Sequence, residues 1–252
     1  MMRVTVLGSG TNIHPTRAAA GYLVQTDHLF LLDFGPRTLM NLIKSGTDRH
    51  RITHILFSHF HADHFADFIP FFFDAIIYCK YQGGTRPPLT LIGPRGTKKL
   101  MAAMMSNFPS FNRAPFRVTL REASDRAFRL GDTRILPGTV THAPRLHCLG
   151  YRIEYDGRAV AYSGDSVKCE SLVRLCDGAD LAILDCSFPE NHPGPAHLHA
   201  GECGQVAQQA GVGRLLLSHF YPIAERYDVR AQAGQYFGGR IRMAKDLFRW
   251  RG

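Results

Sequence analysis

The chain has 252 residues, of which 45% are hydrophobic and 20% are charged, and its formal net charge is +9. This length and balance suit an ordinary globular protein made of one large α/β domain. Twenty-four of the 30 basic residues are arginine. This bias indicates either an anionic substrate or a solvated, arginine-rich surface, and without a dense basic run it does not argue for nucleic acid.

The cysteines and the apolar stretches predict a cytoplasmic protein. The six cysteines form no C-x-x-C pair and mostly lie in apolar runs, which is typical of buried free thiols in a reducing compartment. The apolar part of the N-terminal segment is too short for a signal peptide. The most apolar stretch, residues 65–79, is interrupted by Asp67, Pro70 and Asp74 and is too short to span a bilayer, so no membrane contact is expected.

The first half of the chain predicts short strands with helices between them. Strands are expected at residues 3–7, 22–26, 29–33, 54–57 and 89–92. Helices are expected from residue 36 to about residue 44, over 63–81, and from the turn at 93–96 to about residue 105. Pro70 must kink or divide the second helix, because proline cannot donate a backbone hydrogen bond and clashes with the preceding turn.

The second half also predicts short strands with helices between them, and the chain contains no internal sequence repeat and no clear linker. Strands are expected at residues 116–120, 134–136, 151–155, 159–163, 181–184 and 214–217, and helices at 167–176 and 200–210. Strands that come in clusters with helices between them suit two sheets packed face to face with helices outside. One doubly wound sheet fits this order less well, and we expect a single domain over residues 1–252.

The strongest chemical signal is the segment Ser58-His59-Phe60-His61-Ala62-Asp63-His64, which follows an apolar strand. In an extended segment alternate side chains point the same way, so His59 and His61 are able to reach one metal ion together. Asp63 and His64 lie where the chain turns into a helix and face a second position beside the first. Imidazole and carboxylate groups are the ligands that zinc prefers, and a polar turn that is histidine-rich by chance is the weaker interpretation.

A two-metal site needs more ligands, and three further candidates each follow an apolar strand. They are His142 after 136–141, Asp165 after 160–164 and His219 after 215–218. Each alone is more typical of a loop residue that makes ordinary hydrogen bonds. All three at strand ends predict a site assembled along one edge of a sheet sandwich.

This ordered set resembles the signature of the metallo-β-lactamase superfamily: His-x-His-x-Asp-His, a strand-end His, a Gly-Asp pair and a second strand-end His. The resemblance covers nearly the whole chain and is strongest towards the ribonuclease Z-like branch. The further segments that carry it are Leu7-Gly8-Ser9-Gly10-Thr11, Leu32-Asp33-Phe34-Gly35, Leu149-Gly150-Tyr151-Arg152-Ile153, Tyr162-Ser163-Gly164-Asp165 and Leu217-Ser218-His219-Phe220. It implies an αββα sandwich of two mixed sheets flanked by helices.

The resemblance also implies a ligand set. One metal is bound by His59, His61 and His142, the other by Asp63, His64 and His219, and Asp165 bridges the two. Two Zn²⁺ ions per chain are expected, with Mn²⁺ or iron as alternatives. Two metals ~3.5–4 Å apart lower the pKa of a shared water, and the resulting hydroxide attacks the substrate. Asp63 is expected to orient this hydroxide as well as to bind metal.

A second motif, Ala196-His197-Leu198-His199-Ala200, concerns the leaving group. In the ribonuclease Z-like branch a histidine stands here beside a carboxylate from the preceding strand, and His197 and Asp185 match the pair. The resemblance implies that Asp185 keeps His197 protonated, ready to protonate a leaving alkoxide. The alternative is that His197 caps the helix that starts near Ala200. His199 stands where the family usually has Ser or Thr, and it receives no role.

Three functions fit these residues. The first is a phosphodiesterase acting on a phosphorylated small molecule or a short nucleic acid. The second is a tRNA 3′-processing endoribonuclease, and the third is a thiolesterase-like or other hydrolase of the superfamily. Ribonuclease Z carries a long tRNA-gripping arm between the strand-end His and the bridging Asp, whereas only 22 residues separate His142 from Asp165 here. We therefore rank the phosphodiesterase first, and by resemblance we expect a homodimer.

Overall fold

The computed structural model describes all residues 1–252, which form fourteen strands and seven α-helices. The strands are β1 (Arg3–Gly8), β2 (Gly21–Gln25), β3 (Leu29–Phe34), β4 (His54–Leu56), β5 (Leu89–Gly93), β6 (Val118–Glu122), β7 (Phe128–Leu130), β8 (Thr133–Val140), β9 (Cys148–Tyr155), β10 (Arg158–Tyr162), β11 (Leu181–Asp185), β12 (Arg214–Ser218), β13 (Arg240–Met243) and β14 (Arg249–Arg251). The helices are α1 (Thr38–Lys44), α2 (Ala62–Phe65), α3 (Phe68–Tyr81), α4 (Thr97–Asn107), α5 (Glu170–Cys176), α6 (Ala200–Gln209) and α7 (Val229–Gly234).

The strands build two seven-stranded sheets with the same internal pattern of pairing. The first sheet has the order β14-β1-β2-β3-β4-β5-β6, and the second has the order β13-β12-β11-β10-β9-β8-β7. Each sheet contains three antiparallel pairs at one side and three parallel pairs at the other. The expected sandwich of two mixed sheets flanked by helices is therefore confirmed.

The inner faces of the sheets bury one continuous apolar core. Val4, Phe30 and Leu32 of the first sheet belong to the same buried cluster as Ile153 and Ile183 of the second. A smaller cluster covers the outer face of the first sheet, where α3 packs its phenylalanine side chains. Burial of apolar surface on both faces explains why the central strands read as continuous apolar runs rather than alternating ones.

The chain divides before Pro70 as the sequence predicts. The expected helix over 63–81 is split into α2 and α3, with Ala66 and Asp67 between them. Pro70 is the third residue of α3, where a backbone N–H has no partner inside the helix. The short helix α2 before the break carries Asp63 and His64.

The elements that the sequence does not predict lie at edges. The strands β7, β13 and β14 and the helix α7 are short, and β13 and β14 contain several arginines. Charged, short strands are typical of sheet edges and lack the apolar pattern of a central strand. The strand β8 is longer than expected and includes Pro137, beyond the last residue that pairs with β7. An edge position accommodates the missing N–H.

No helix of the structure is both long enough and apolar enough to cross a bilayer. All six cysteines are free thiols, and four of them, Cys148, Cys176, Cys186 and Cys203, are buried.

His54 in β4 makes the stability of this fold depend on pH. Burial and the nearby His28 ring lower the pKa of His54 from 6.5 to about 4. The unfolded chain takes up this proton near pH 6.5, whereas the folded protein resists it until about pH 4. The free energy of unfolding should therefore fall as the pH drops through this window, by on the order of 1–2 kcal/mol because the side chain is only partly buried.

We expect His54→Gln to remove this part of the pH dependence in urea unfolding measured across the window. The exposed His192 provides a matched control, and His192→Gln should follow the wild type. Comparing variants cancels the pH dependence that all of them share. If the free energy of unfolding depended on pH in the same way for the wild type and His54→Gln, His54 would not be the source of this pH dependence.

Candidate metal centre

The segments that follow four strands deliver the seven predicted ligands to one edge of the sandwich. The loop after β4 and the start of α2 supply the histidine-rich segment, and the loops after β8, β10 and β12 supply the remaining three residues. Because β10, β11 and β12 are parallel, their carboxyl ends meet at the same edge. All seven predicted metal ligands are brought together there: His59, His61, Asp63, His64, His142, Asp165 and His219.

Three histidines face one position. The Nε2 atom of His59 lies 3.0 Å from Nδ1 of His61, and Nε2 of His142 lies 3.2 Å from the same Nδ1 atom. Ligands on a tetrahedral zinc ion, with bonds of ~2.0–2.1 Å, are separated by about 3.3 Å. The spacing of the three nitrogens therefore matches a shared metal ion.

A second group faces an adjacent position. The Nε2 atoms of His64 and His219 are 3.2 Å apart, and an Asp63 oxygen lies 3.5 Å from Nε2 of His219. Asp63 and His64 come from α2, whereas His219 comes from the loop after β12. The group therefore joins both sheets.

The carboxylate of Asp165 lies between the two groups and turns one oxygen to each. Its Oδ1 atom is 3.2 Å from His64 Nε2 and 3.4 Å from His219 Nε2. Its Oδ2 atom is 3.6 Å from His59 Nε2 and 3.7 Å from His142 Nε2.

Asp165 Oδ1 is fully buried and has no hydrogen-bond donor. A buried carboxylate oxygen without a donor is costly unless a cation satisfies it. The donor set therefore fits a divalent metal ion.

The ligand imidazoles are held from behind through their other ring nitrogens. His59 Nδ1 contacts Ser58 Oγ at 3.0 Å, and His219 Nδ1 contacts Ser187 Oγ at 3.0 Å. His142 Nδ1 donates to the Ala196 carbonyl at 2.7 Å. Such contacts fix the tautomer and the ring direction of a metal-binding histidine.

Asp33 is a functional residue that the sequence reasoning did not assign. It is fully buried at the end of β3, and its carboxylate accepts from Ser58 N at 2.7 Å, from Tyr162 OH at 2.5 Å and from His64 Nδ1 at 2.7 Å. It therefore ties the histidine loop of one sheet to β10 of the other. The available signal was a single carboxylate in the otherwise apolar segment Leu29–Phe34.

The charges of the site favour ionised carboxylates. Burial raises the pKa of Asp165, but the imidazoles of His219 and His64 outweigh burial and hold this pKa well below its usual range. Burial lowers the pKa of His64, but the carboxylates of Asp165 and Asp33 outweigh it and raise the pKa. A metal ion that enters the site must therefore displace protons from imidazoles, which makes binding stronger as pH rises.

His197 and Asp185 lie beside this cluster as the sequence predicts. His197 Nδ1 donates to Asp185 Oδ2 at 2.8 Å, and the same ring nitrogen is 3.9 Å from Asp165. Burial lowers the pKa of His197, but the Asp185 carboxylate outweighs burial and raises it. The pair places an imidazole with a raised pKa next to the metal ligands.

The helix-cap alternative for His197 is wrong, because His199 caps α6. The His199 side chain accepts from Glu202 N, and the Glu202 carboxylate accepts from His199 N, which forms a reciprocal capping box. This cap explains why a residue with a side-chain acceptor stands at position 199. It also holds the preceding loop, and so His197, in place.

Two aromatic rings form a wall beside the site and were not singled out from the sequence. Phe188 and Tyr221 stack with ring centroids 5.0 Å apart, and the Tyr221 ring lies 5.7 Å from that of His197. Across the site, His61 is exposed to solvent. The metal centre is therefore open to solvent between His61 on one side and the stacked Phe188 and Tyr221 rings on the other.

The backbone bends sharply where the ligands leave their strands. His219 has a φ of 61°, a left-handed conformation that is uncommon outside glycine and that clusters at functional sites. Gly164, just before Asp165, has a φ of 59°, and a Cβ atom there would lie 2.8 Å from the Leu149 carbonyl oxygen. Only glycine allows this turn beside the neighbouring strand.

The fold and this site define a class of metal-dependent hydrolases, and sequence comparison agrees. The family model described as the beta-lactamase superfamily domain matches residues 28–220, so the chain belongs to the metallo-β-lactamase superfamily. It is 33% identical to an uncharacterised protein of Mycobacterium tuberculosis over 95% of this chain and 88% of that protein. It is 30% identical to ribonuclease Z of Mycobacterium marinum over 99% of this chain and 98% of the enzyme. The ribonuclease Z-like placement is therefore confirmed.

Crystal structures give the same picture. The metallo-β-lactamase fold protein YhfI of Bacillus subtilis superposes with a TM-score of 0.84 at 26% identity, covering 100% of this chain and 99% of that one. The short form of human tRNase Z superposes with a TM-score of 0.77 at 22% identity, covering 99% of this chain and 98% of that one. A diphosphatase of the PhnP family superposes with a TM-score of 0.76 at 19% identity, covering 100% of this chain and 98% of that one. The last two likenesses show the fold alone.

Asp33→Asn tests the support behind the ligands. We expect zinc affinity, measured by competition with a chromophoric chelator, to fall roughly 10–100-fold, because the amide cannot accept from Ser58 N, Tyr162 OH and His64 as the carboxylate does. Thermal melting should show that the variant folds. Asp180→Asn is the control, since the Asp180 carboxylate, just before β11, accepts hydrogen bonds from Arg158 and the Ala159 amide away from the site. Equal zinc affinity in both variants would refute the role of Asp33.

Proposed function

We propose that the protein is a phosphodiesterase that works with two divalent metal ions, Zn²⁺ first and Mn²⁺ or iron as alternatives. The observation that carries this proposal is the placement of Asp165 between two groups of ligands, one oxygen towards each. His59, His61 and His142 would hold one ion, and Asp63, His64 and His219 the other. Asp165 would bridge the pair.

The chemistry assigns different tasks to the residues around the ions. A pair of ions at this place supplies an activated water and polarises the phosphoryl oxygen. Asp63 is buried in the first turn of α2, and its pKa is held below the usual range by a hydrogen bond to His219 and the nearby His64, which together outweigh burial. Its carboxylate is therefore ionised and able to orient the attacking water.

His197 would act at the leaving oxygen. Its Nδ1 is occupied by Asp185, so the other ring nitrogen, Nε2, is the one available to donate. Asp185 is in turn held by Ser187, whose Oγ donates to Asp185 Oδ1 at 2.6 Å, and by the Ser166 amide. An oriented, protonated imidazole suits proton donation to an alkoxide that departs from phosphorus.

The size of the substrate follows from the region between His142 and Asp165. It contains β9 and β10 joined by a turn at Asp156 and Gly157, and no long arm. The alignment with ribonuclease Z of Mycobacterium marinum runs over 280 positions against 252 residues here, so at least 28 positions have no counterpart in this chain. Without remote contacts, a large folded RNA loses the binding energy that positions it.

A tRNA 3′-processing endoribonuclease is the second candidate. It is supported by the 30% identity to ribonuclease Z over nearly the whole of both chains. The diphosphatase of the PhnP family among the similar folds fits the first candidate. We also propose a cytoplasmic location, in keeping with six free thiols.

Metal content and Asp165 provide one test. Protein purified without chelator should contain about two equivalents of transition metal. Asp165→Ala should lower the rate of phosphodiester hydrolysis by more than it lowers metal content, because a misplaced water reacts much more slowly. Elemental analysis and turnover are measured on the same preparations. An active preparation that never holds more than one ion, or near-normal turnover of Asp165→Ala, contradicts the two-ion proposal.

Substrate choice tests the function itself. We expect hydrolysis of bis(p-nitrophenyl) phosphate and of a dinucleotide, and weak or absent cleavage of precursor tRNA at physiological salt. His197→Ala should reduce kcat/KM for the dinucleotide by ~10²–10⁴-fold but affect bis(p-nitrophenyl) phosphate far less, since a good leaving group needs little protonation. His192→Ala, an exposed residue of the same loop, is the control. Efficient, site-specific cleavage of precursor tRNA would favour the second candidate instead.

A further inference from the structure

A polar cavity lies at the opposite end of the first sheet from the metal centre. It has a volume of about 490 Å³. The carboxyl end of β1 reaches the metal centre, where Gly10 pairs with Phe220 next to His219, whereas the cavity surrounds Arg3 at the start of β1. A strand of this length spans roughly 15–20 Å. The cavity is therefore separate from the site described above.

Four arginines line this cavity: Arg3, Arg51, Arg249 and Arg251. The ion pairs that arginines form in the protein involve other residues, namely Arg17, Arg49, Arg134, Arg152, Arg158 and Arg174. None of the four cavity arginines has a carboxylate partner. Their positive charges therefore face the cavity without an internal counterion.

The register of the strands places two of these charges directly opposite each other. Arg3 in β1 pairs with Arg251 in β14, and Thr5 pairs with Arg249. Between them, Val4 and Trp250 point to the buried core, so the arginines share the outer face. Like charges directly across a strand pair are destabilising. An anion bound between the guanidinium groups would remove this repulsion.

The two acidic residues of the cavity are engaged elsewhere. Asp27 accepts from Thr133 Oγ1 at 2.6 Å and from the Asp132 amide at 2.7 Å, both in the neighbouring hairpin. Asp48 accepts from the His50 amide at 3.0 Å. Four arginines against two aspartates leave a formal surplus of two positive charges.

The walls of the cavity limit the ligand to a small molecule. The outer face of β1, β2 and β14 forms the floor, and the turn at 26–28 and the residues 45–48 after α1 rise beside it. Arg249 is held in place by a hydrogen bond from Nη2 to the Ser45 carbonyl at 2.8 Å. The volume suits a ligand of nucleotide size, and arginine forks match phosphate oxygens.

We propose that this cavity is a second anion site, which binds a small phosphorylated molecule remote from the metal centre. The inference stands independently of the proposed function. The shared chemistry is a phosphate group, which a soluble metabolite or a lipid headgroup carries.

The single tryptophan of the chain makes the site directly measurable. Trp250, the only tryptophan in the sequence, belongs to the cavity wall through its place in β14 between Arg249 and Arg251, and its side chain packs in the core behind them. We expect selectively excited fluorescence of the metal-loaded protein to change saturably with inorganic sulfate at constant ionic strength, and also with adenosine 5′-monophosphate. Vesicles of phosphatidylcholine with phosphatidic acid form a separate arm. A response to the monophosphate indicates a soluble ligand, and a response to the vesicles beyond that to phosphatidylcholine alone indicates a headgroup.

Variants connect the response to the arginines. Arg3→Gln/Arg251→Gln should weaken binding roughly tenfold or more, since each loses a charge-assisted contact. Without added anion and at low salt it should melt no lower than the wild type, because the repulsion is gone. Arg117→Gln, an exposed arginine outside the cavity, should bind as the wild type does.

Arg51→Gln, which lies outside the sheet, provides a second test should the double variant fail to fold. A fluorescence response that does not saturate, or one that is equal in the cavity variants and in Arg117→Gln, overturns the proposal. The arginines would then serve only to keep the edge strand β14 from pairing with other chains.

Discussion

A buried carboxylate surrounded by imidazoles is the constraint on which the rest of the site depends. Asp165 is a buried carboxylate with one oxygen that has no hydrogen-bond partner, and a buried charge is costly in a protein interior unless it is compensated. The surrounding histidines lower the cost, and a bound cation would offset the remainder. Around this carboxylate, the loops after β4, β8, β10 and β12 must meet within a few ångströms. The strand directions make that possible: β10 and β12 belong to a parallel set, and β8 runs the same way as β10 because both are antiparallel to β9.

Asp33 extends the same constraint into the core. It links Ser58, His64 and Tyr162, so the histidine loop of the first sheet is fixed relative to the second sheet. The positions of the ligands therefore depend on the packing between the sheets. A change that shifts one sheet against the other would alter the spacing of His64 and His219, although neither sheet on its own would be disturbed.

Sequence patterns predicted the central strands and the convergence of the seven ligands, because apolar runs and a dense group of histidines and aspartates are strong local signals. They did not predict β7, β13 and β14, whose short, charged sequences become strands only by pairing with neighbours. Asp33 was missed because its role arises from residues distant in the chain, such as Tyr162. For His197 the sequence left the alternative of a helix cap, and the reciprocal contact of His199 with Glu202 excludes it, while His199 had received no role. The cavity arginines looked like a scattered compositional bias until the register brought Arg3 and Arg251 together.

The last strand of the chain affects the order in which parts of the protein unfold. Most of the second sheet comes from the later half of the chain, yet β14 crosses back and pairs with β1 in the first sheet. The two halves are thereby interlocked at the edge as well as through their shared interior. Separation of the halves requires β14 to detach first, so hydrogen exchange at its amides would report the earliest opening event, while the amides of β4 and β11 would exchange only on global unfolding.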